Sequence, residues 1–153
     1  MAKYFSFIAE NVTPVSQNSR RWPYLVRLRN DCLIWYNQKY PGTPLPVIHK
    51  PTELEAKLFY IHRKYDKKDA DNISKPFWDS FNTYAYDDDR QIKYLETLKI
   101  DVNTLDILEL DVTNLDQHDC DQLIDFLLNP APTKERILYV AISDYQSKKV
   151  RLV

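Results

Sequence analysis

A chain of 153 residues, 44% hydrophobic and 13% aromatic, is long enough to bury one core and too short for two ordinary domains. Its net charge of −1 gives no global argument for nucleic-acid binding, its single glycine, Gly42, excludes the glycine-rich phosphate loops of nucleotide-binding folds, and its isolated Cys32 and Cys120 read as reduced core residues. No apolar run approaches a membrane span and no basic-then-apolar signal segment opens the chain, so a cytoplasmic protein without a membrane partner is expected.

In chain order, residues 4–9 alternate as a first strand, and residues 11–24 form a polar loop containing proline. Leu25, Leu28, Cys32, Trp35 and Tyr36 recur at helical spacing, which predicts a helix over 25–40 stopped by Pro41-Gly42. Four prolines between 41 and 51 stiffen the following connector. Residues 57–65 are β-branched and aromatic and predict a second strand. Ile73, Phe77 and Phe81 recur every fourth residue and predict a helix over 73–82, starting near Asn72–Lys75 so that Pro76 falls in its first turn. Ile92, Tyr94, Leu98, Ile100 and Val102 alternate with more polar residues as the clearest strand. Leu110 and Val112 are weaker strand positions, residues 116–128 are helical by period, and Ile137–Ile142 is apolar on both faces as a central strand is. The sum is an α+β single domain, a two-layer sandwich with a mixed sheet of four to six strands covered by helices.

The chemistry concentrates in residues 67–91. Asp69 and Asp71 stand two apart, so on extended chain their carboxylates share one face. A helix that doubles back would bring a third carboxylate from Asp87, Asp88 or Asp89 to them, and oxygen ligands with room for water suit Mg²⁺. Lys75 and the positive end of the helix add a site for phosphate. Taken alone, Asp87–Asp89 reads as a solvated acidic turn and Asp69-Ala70-Asp71 as a cap. Together with Asn72, Lys75 and Gln91 in register, the metal reading is favoured. Charge is also unevenly distributed, since residues 1–100 hold 16 Lys/Arg against 12 Asp/Glu and residues 101–153 hold 5 against 10. Arg20, Arg21, Arg63, Lys67 and Lys68 are the candidates for contact with a DNA backbone in the basic part. The three histidines lack ligand spacing, and most of the eleven tyrosines read as packing.

The sequence Asp69-Ala70-Asp71-Asn72, then Lys75, then Asp88-Asp89-Arg90-Gln91 resembles the signature of the RusA-type Holliday junction resolvases. That resemblance is most specific over residues 67–91 and extends by strand order over most of residues 1–102. It implies metal ligation by Asp69, Asp71 and Asp89, with Asp88 as a further or supporting ligand, and a catalytic Lys75. It also implies Mg²⁺ or Mn²⁺ as cofactor, four-way DNA junctions as substrate and a homodimer, in the setting of DNA recombination and repair. The chain departs from the family pattern at Thr83, where a glycine is usual, so Asn82 is expected to take the left-handed conformation itself. Residues 1–153 are expected to form one nuclease unit, with 103–135 an added substructure. Two other readings stand beside it: a junction-binding protein with weak or lost cleavage, and a metal-dependent nuclease for another nucleic acid.

Overall fold

The computed structural model describes residues 3–104, 109–129 and 133–146. Four strands, β1 (Lys3–Glu10), β2 (Leu54–His62), β3 (Ile92–Asp101) and β4 (Arg136–Asp144), form one sheet in the order β1-β4-β2-β3. The β1–β4 and β2–β4 pairs are antiparallel and the β2–β3 pair is parallel, so the sheet is mixed as the sequence predicts. Among the described residues no helix is long and apolar enough to cross a membrane.

Helices α1 (Trp22–Lys39) and α2 (Ala70–Phe81) cover one sheet face. Phe5, Phe7 and Ala9 of β1, Leu54, Ala56, Leu58 and Tyr60 of β2, and Leu138, Val140 and Ile142 of β4 point to that face and meet Leu28, Cys32, Tyr36, Ile73, Phe77 and Phe81. The strand residues follow the two-residue period and the helix residues follow i, i+4. Helix α3 (Gln117–Leu128) lies on the opposite face, where Leu123 and Phe126 pack on Ile8, Ile61 and Ile137. Its N-terminus is fixed by Asp116, whose side chain accepts from the Asp119 N–H at 2.9 Å.

Helix α1 begins three residues before the expected start because Trp22-Pro23 suits a first turn. It stops at Tyr40, with Gly42 at φ 75° in the turn that follows. Strand β2 ends at His62, short of the expected residue 65. The chain then turns under Asp66, whose carboxylate accepts from the Lys68 N–H at 3.0 Å and from the Tyr60 hydroxyl at 2.7 Å. Residues 109–112 form no strand, so Leu110 and Val112 are corrected. Leu110 instead packs beside α3, and the Asp111 carboxylate turns the chain by accepting from the Thr113 N–H. Residues 105–108 lie outside the described residues.

The apolar alternation of β3 does not map onto one face. The register shifts where Leu54 and Glu55 of β2 oppose Ile92 and Tyr94. This irregularity leaves Ile92 on the α2 face and sends Tyr94, Leu98 and Ile100 to the other, opposite Glu55, Phe59 and Ile61. Leu95, Thr97 and Lys99 consequently face α2, where the Ser74 and Thr97 hydroxyls hydrogen-bond at 2.8 Å.

Candidate active site

Strand β2, helix α2 and strand β3 form a β-α-β unit, and the residues of the acidic motif are divided between the start of its helix and the turn before β3. Asp69 is the N-cap of α2, at φ −84° and ψ 160°, with no side-chain capping bond. Asp71 lies in the first turn, where the positive helix end favours a carboxylate. The helix thus starts at Ala70, earlier than expected, and Asn72 does not cap it. Pro76 lies inside the helix, not in its first turn, and so removes the backbone bond to the Asn72 carbonyl. The extended Asp69–Asp71 geometry is corrected with it, because Asp71 is helical and only Asp69 keeps extended dihedrals. At the other end Asn82 keeps φ −59°, and Thr83 takes the left-handed conformation at φ 70°. Bonds from the Thr83 N–H to the Tyr86 carbonyl and from the Tyr84 N–H to the Phe81 carbonyl hold Thr83 there.

The three consecutive acids of the next turn have separate tasks. Asp87 accepts from the Lys50 N–H at 2.8 Å and lies 3.0 Å from His49 Nδ1, contacts that hold its pKa below the usual carboxylate value. Asp88 caps the short 3₁₀ turn Asp89–Gln91 through the Arg90 N–H and binds the Arg90 guanidinium at 2.8 Å. Those bonds to Arg90 lower its pKa strongly. Asp89 faces α2. Gln91 secures this arrangement: its Oε1 accepts from the Asp88 N–H, and its Nε2 donates to the Ile48 and Thr52 carbonyls, each at 3.1 Å. The buried amide of Gln91 therefore ties the acidic turn to the proline-rich connector.

Asp71, Ser74, Lys75, Trp78, Asp79, Asp89, Ile92 and Leu95 line a cavity of about 360 Å³ between α2 and the start of β3. Inside it Lys75 Nζ donates to Asp79 Oδ1 at 3.0 Å and to Asp89 Oδ2 at 3.4 Å. The bond to Asp79 is the main reason that the Lys75 pKa is raised, against partial burial, and the Asp89 charge adds to it. Asp79 is itself approached by Arg20, whose Nη2 lies 2.5 Å from Oδ2 as an ion pair lacking hydrogen-bond alignment. Asp79 stands i+4 from Lys75, and that spacing is the sequence signal that assigns it here.

The other candidates stand apart from this cavity. Asp69 is exposed at the helix N-cap, roughly 9 Å along the axis from Lys75 at about 1.5 Å per residue. Arg21 is the exposed N-cap of α1, and Lys67 is exposed in the loop before α2. Lys68 pairs with Asp66 at 3.1 Å. Arg63 places its guanidinium 4.4 Å from the Phe126 ring centroid, on the α3 side of the sheet.

A family model described as endodeoxyribonuclease RusA matches residues 27–113, more than half of the chain. This chain belongs to the RusA endodeoxyribonuclease family. The match runs from the first half of α1 through the α2 motif and β3, so the RusA region contains the whole cavity. No protein among curated sequences matches the chain. RusA membership implies endonuclease action on DNA junctions and dependence on a divalent metal.

Among the described residues no group of three or more Asp, Glu, His or Cys side chains converges closely enough to hold an ion. The donors present fit a hard cation held by fewer protein ligands. Among the described residues the carboxylates of Asp69 and Asp71 form no hydrogen bond or ion pair, Asp89 meets Lys75 at 3.4 Å, and Asp71 and Asp89 face one cavity. Mg²⁺ commonly uses one or two carboxylates and completes its shell with water and substrate phosphate.

Proposed function

We propose that this RusA-family protein is a Mg²⁺-dependent endonuclease, with Mn²⁺ able to substitute, that resolves four-way DNA junctions by paired phosphodiester cleavage. In this reading it acts as a homodimer in cytoplasmic DNA recombination and repair, and residues 103–135 are an addition to a single nuclease domain. The observation that carries the reading is the shared cavity of Asp71, Lys75 and Asp89, three members of the family motif brought together from two elements.

Asp71 and Asp89 would hold the ion from the cavity wall, with Asp69 joining from the helix N-cap. When bound, the ion supplies Lewis-acid polarisation of a phosphoryl oxygen and a more acidic water. Lys75, charged at neutral pH, moves from Asp79 to an oxygen of the reacting phosphate and stabilises the negative charge that develops there. Asp79 keeps the ammonium charged and aimed into the cavity. Asp88 supports Asp89 through the capped turn, and Leu95 and Trp78 limit water on the apolar wall. Arg20, Arg21, Lys67 and Lys68 offer cations for the phosphates flanking the cut, and Arg63 supplies one from the α3 side.

The test is cleavage of a synthetic four-way junction and a matched linear duplex, each with Mg²⁺ or EDTA. Symmetric nicks confined to the junction with Mg²⁺ are expected. Binding without cleavage under Mg²⁺ and Mn²⁺ would leave a junction-binding protein, and equal cutting of duplex or RNA would leave a nuclease of another specificity.

A further inference from the structure

Arg29 is a buried cation that forms no ion pair among the described residues. It is 5% exposed, and Nη1 donates to the Ser80 carbonyl at 3.2 Å. The guanidinium carbon lies 3.6 Å from the ring centroid of Tyr84 and 6.0 Å from that of Trp22. Both distances are within cation–π reach. Trp22 and Arg29 are seven residues apart on α1 and share a helix face, whereas Tyr84 comes from the turn after α2. The two rings are pinned by the cation and yet remain open to solvent, Trp22 being 62% and Tyr84 42% exposed.

Core packing does not account for rings held in this way. Exposed aromatics fixed around an uncompensated positive charge suit a flat π-system attached to an anion. The position of the cluster narrows that chemistry. Arg20, two residues before Trp22, pairs with Asp79, and Arg29 bonds to the carbonyl of Ser80, the next residue of α2. Asp79 lines the cavity and holds Lys75. Two contacts on adjacent residues thus couple the aromatic cluster to the wall of the candidate phosphate site.

We propose that Trp22 and Tyr84, braced by Arg29, form a stacking platform for a nucleobase unstacked at the branch point, on the strand whose phosphate enters the Lys75 cavity. This rests on the junction-endonuclease reading above. A duplex presents no free base face, whereas a branch point interrupts continuous stacking and makes a base cheaper to displace. The platform therefore contributes to selectivity for junctions over duplex. Trp22 and Tyr84 touch the base, and Arg29 is a positioning residue.

The experiment uses full-length protein, a four-way junction carrying 2-aminopurine at the branch point, and Ca²⁺ in place of Mg²⁺ to keep the DNA intact. Wild-type protein is expected to change the 2-aminopurine fluorescence on binding. The Trp22→Ala/Tyr84→Ala variant should lose that change and bind the junction about ten- to a hundredfold more weakly, with a smaller effect on duplex. Trp22→Phe/Tyr84→Phe should keep both properties, and thermal melting verifies that each variant is folded. A folded alanine variant that matches wild type in fluorescence change and junction affinity overturns the platform alone. Wild-type protein that neither binds the junction nor, with Mg²⁺, cuts it contradicts the junction reading and the platform with it.

Discussion

Lys75 donates to Asp79 at 3.0 Å across one turn of α2, so the cation of the family motif is held by a carboxylate of its own helix. Asp79 has two cationic neighbours, Lys75 and Arg20. This arrangement keeps Lys75 charged while its side chain remains 56% exposed. Lys75→Ala should lower the cleavage rate about 10²- to 10³-fold, the usual effect of removing a donor to developing charge, with junction affinity changed little. Asp79→Asn should lower the Lys75 pKa, read from the titration of its ¹³Cε resonance by NMR. An unchanged titration would remove Asp79 from this role.

Gln91 bridges the acidic turn and the connector through the carbonyls of Ile48 and Thr52. Gln91→Ala leaves those groups and the Asp88 N–H without their partner, at a cost of about 1–3 kcal/mol for each one that stays buried. Urea unfolding should show the loss, and cleavage should fall because Asp89 follows the same turn.

Asp66 carries a pH signature. Burial opposes its ionised form, but the Lys68 N–H, the Tyr60 hydroxyl and the Lys68 ammonium outweigh burial and lower its pKa to about 2. A carboxylate with a lowered folded pKa stabilises the protein above its unfolded pKa and loses that contribution as pH falls through the folded value. Asp66→Asn should cost about 2 kcal/mol near neutral pH. The difference from wild type should shrink as pH is lowered from about 4 to about 2, followed by denaturant melts across that range.

Lys39 reaches past the edge of β1 to Asp119 of α3 at 2.8 Å and to Asp116 at 2.6 Å, and Asp119 is fully buried. Lys39→Met strands a buried carboxylate and should destabilise the fold by about 3–5 kcal/mol. The double change Lys39→Met/Asp119→Leu should recover much of that loss in the same melt.

The elements were legible where one physical signal dominated. The i, i+4 spacing of Ile73, Phe77 and Phe81 located α2, and the two-sided apolar run Ile137–Ile142 located the interior strand β4. Two boundaries failed for different reasons: the side-chain hydrogen bonds of Asp66 turn the chain and end β2 early, and α2 starts at Ala70 because the helix accommodates Pro76 in its interior. The irregularity between β2 and β3 was hidden because the alternation of β3 continues across it, while the partner strand changes which face Leu95 and Thr97 present. Within the site, Asp71, Lys75 and Asp89 were legible as residue types in register. Their arrangement was not, because it depends on where along α2 the acidic turn returns. Asp79 has a local signal in its i, i+4 spacing from Lys75, whereas the platform of Trp22, Arg29 and Tyr84 depends on contacts between α1 and the turn after α2, which no local pattern records.

In the proposed function, the cavity of Asp71, Lys75 and Asp89 cleaves DNA at a junction. The most direct measurement is the single-turnover rate of Mg²⁺-dependent junction cleavage by wild type, Asp71→Asn and Asp89→Asn, with junction affinity measured in parallel. Paired, symmetric nicks by wild type and a loss of at least about a hundredfold in rate for each variant are expected, with binding retained. Variants that cut at the wild-type rate would contradict the proposed function.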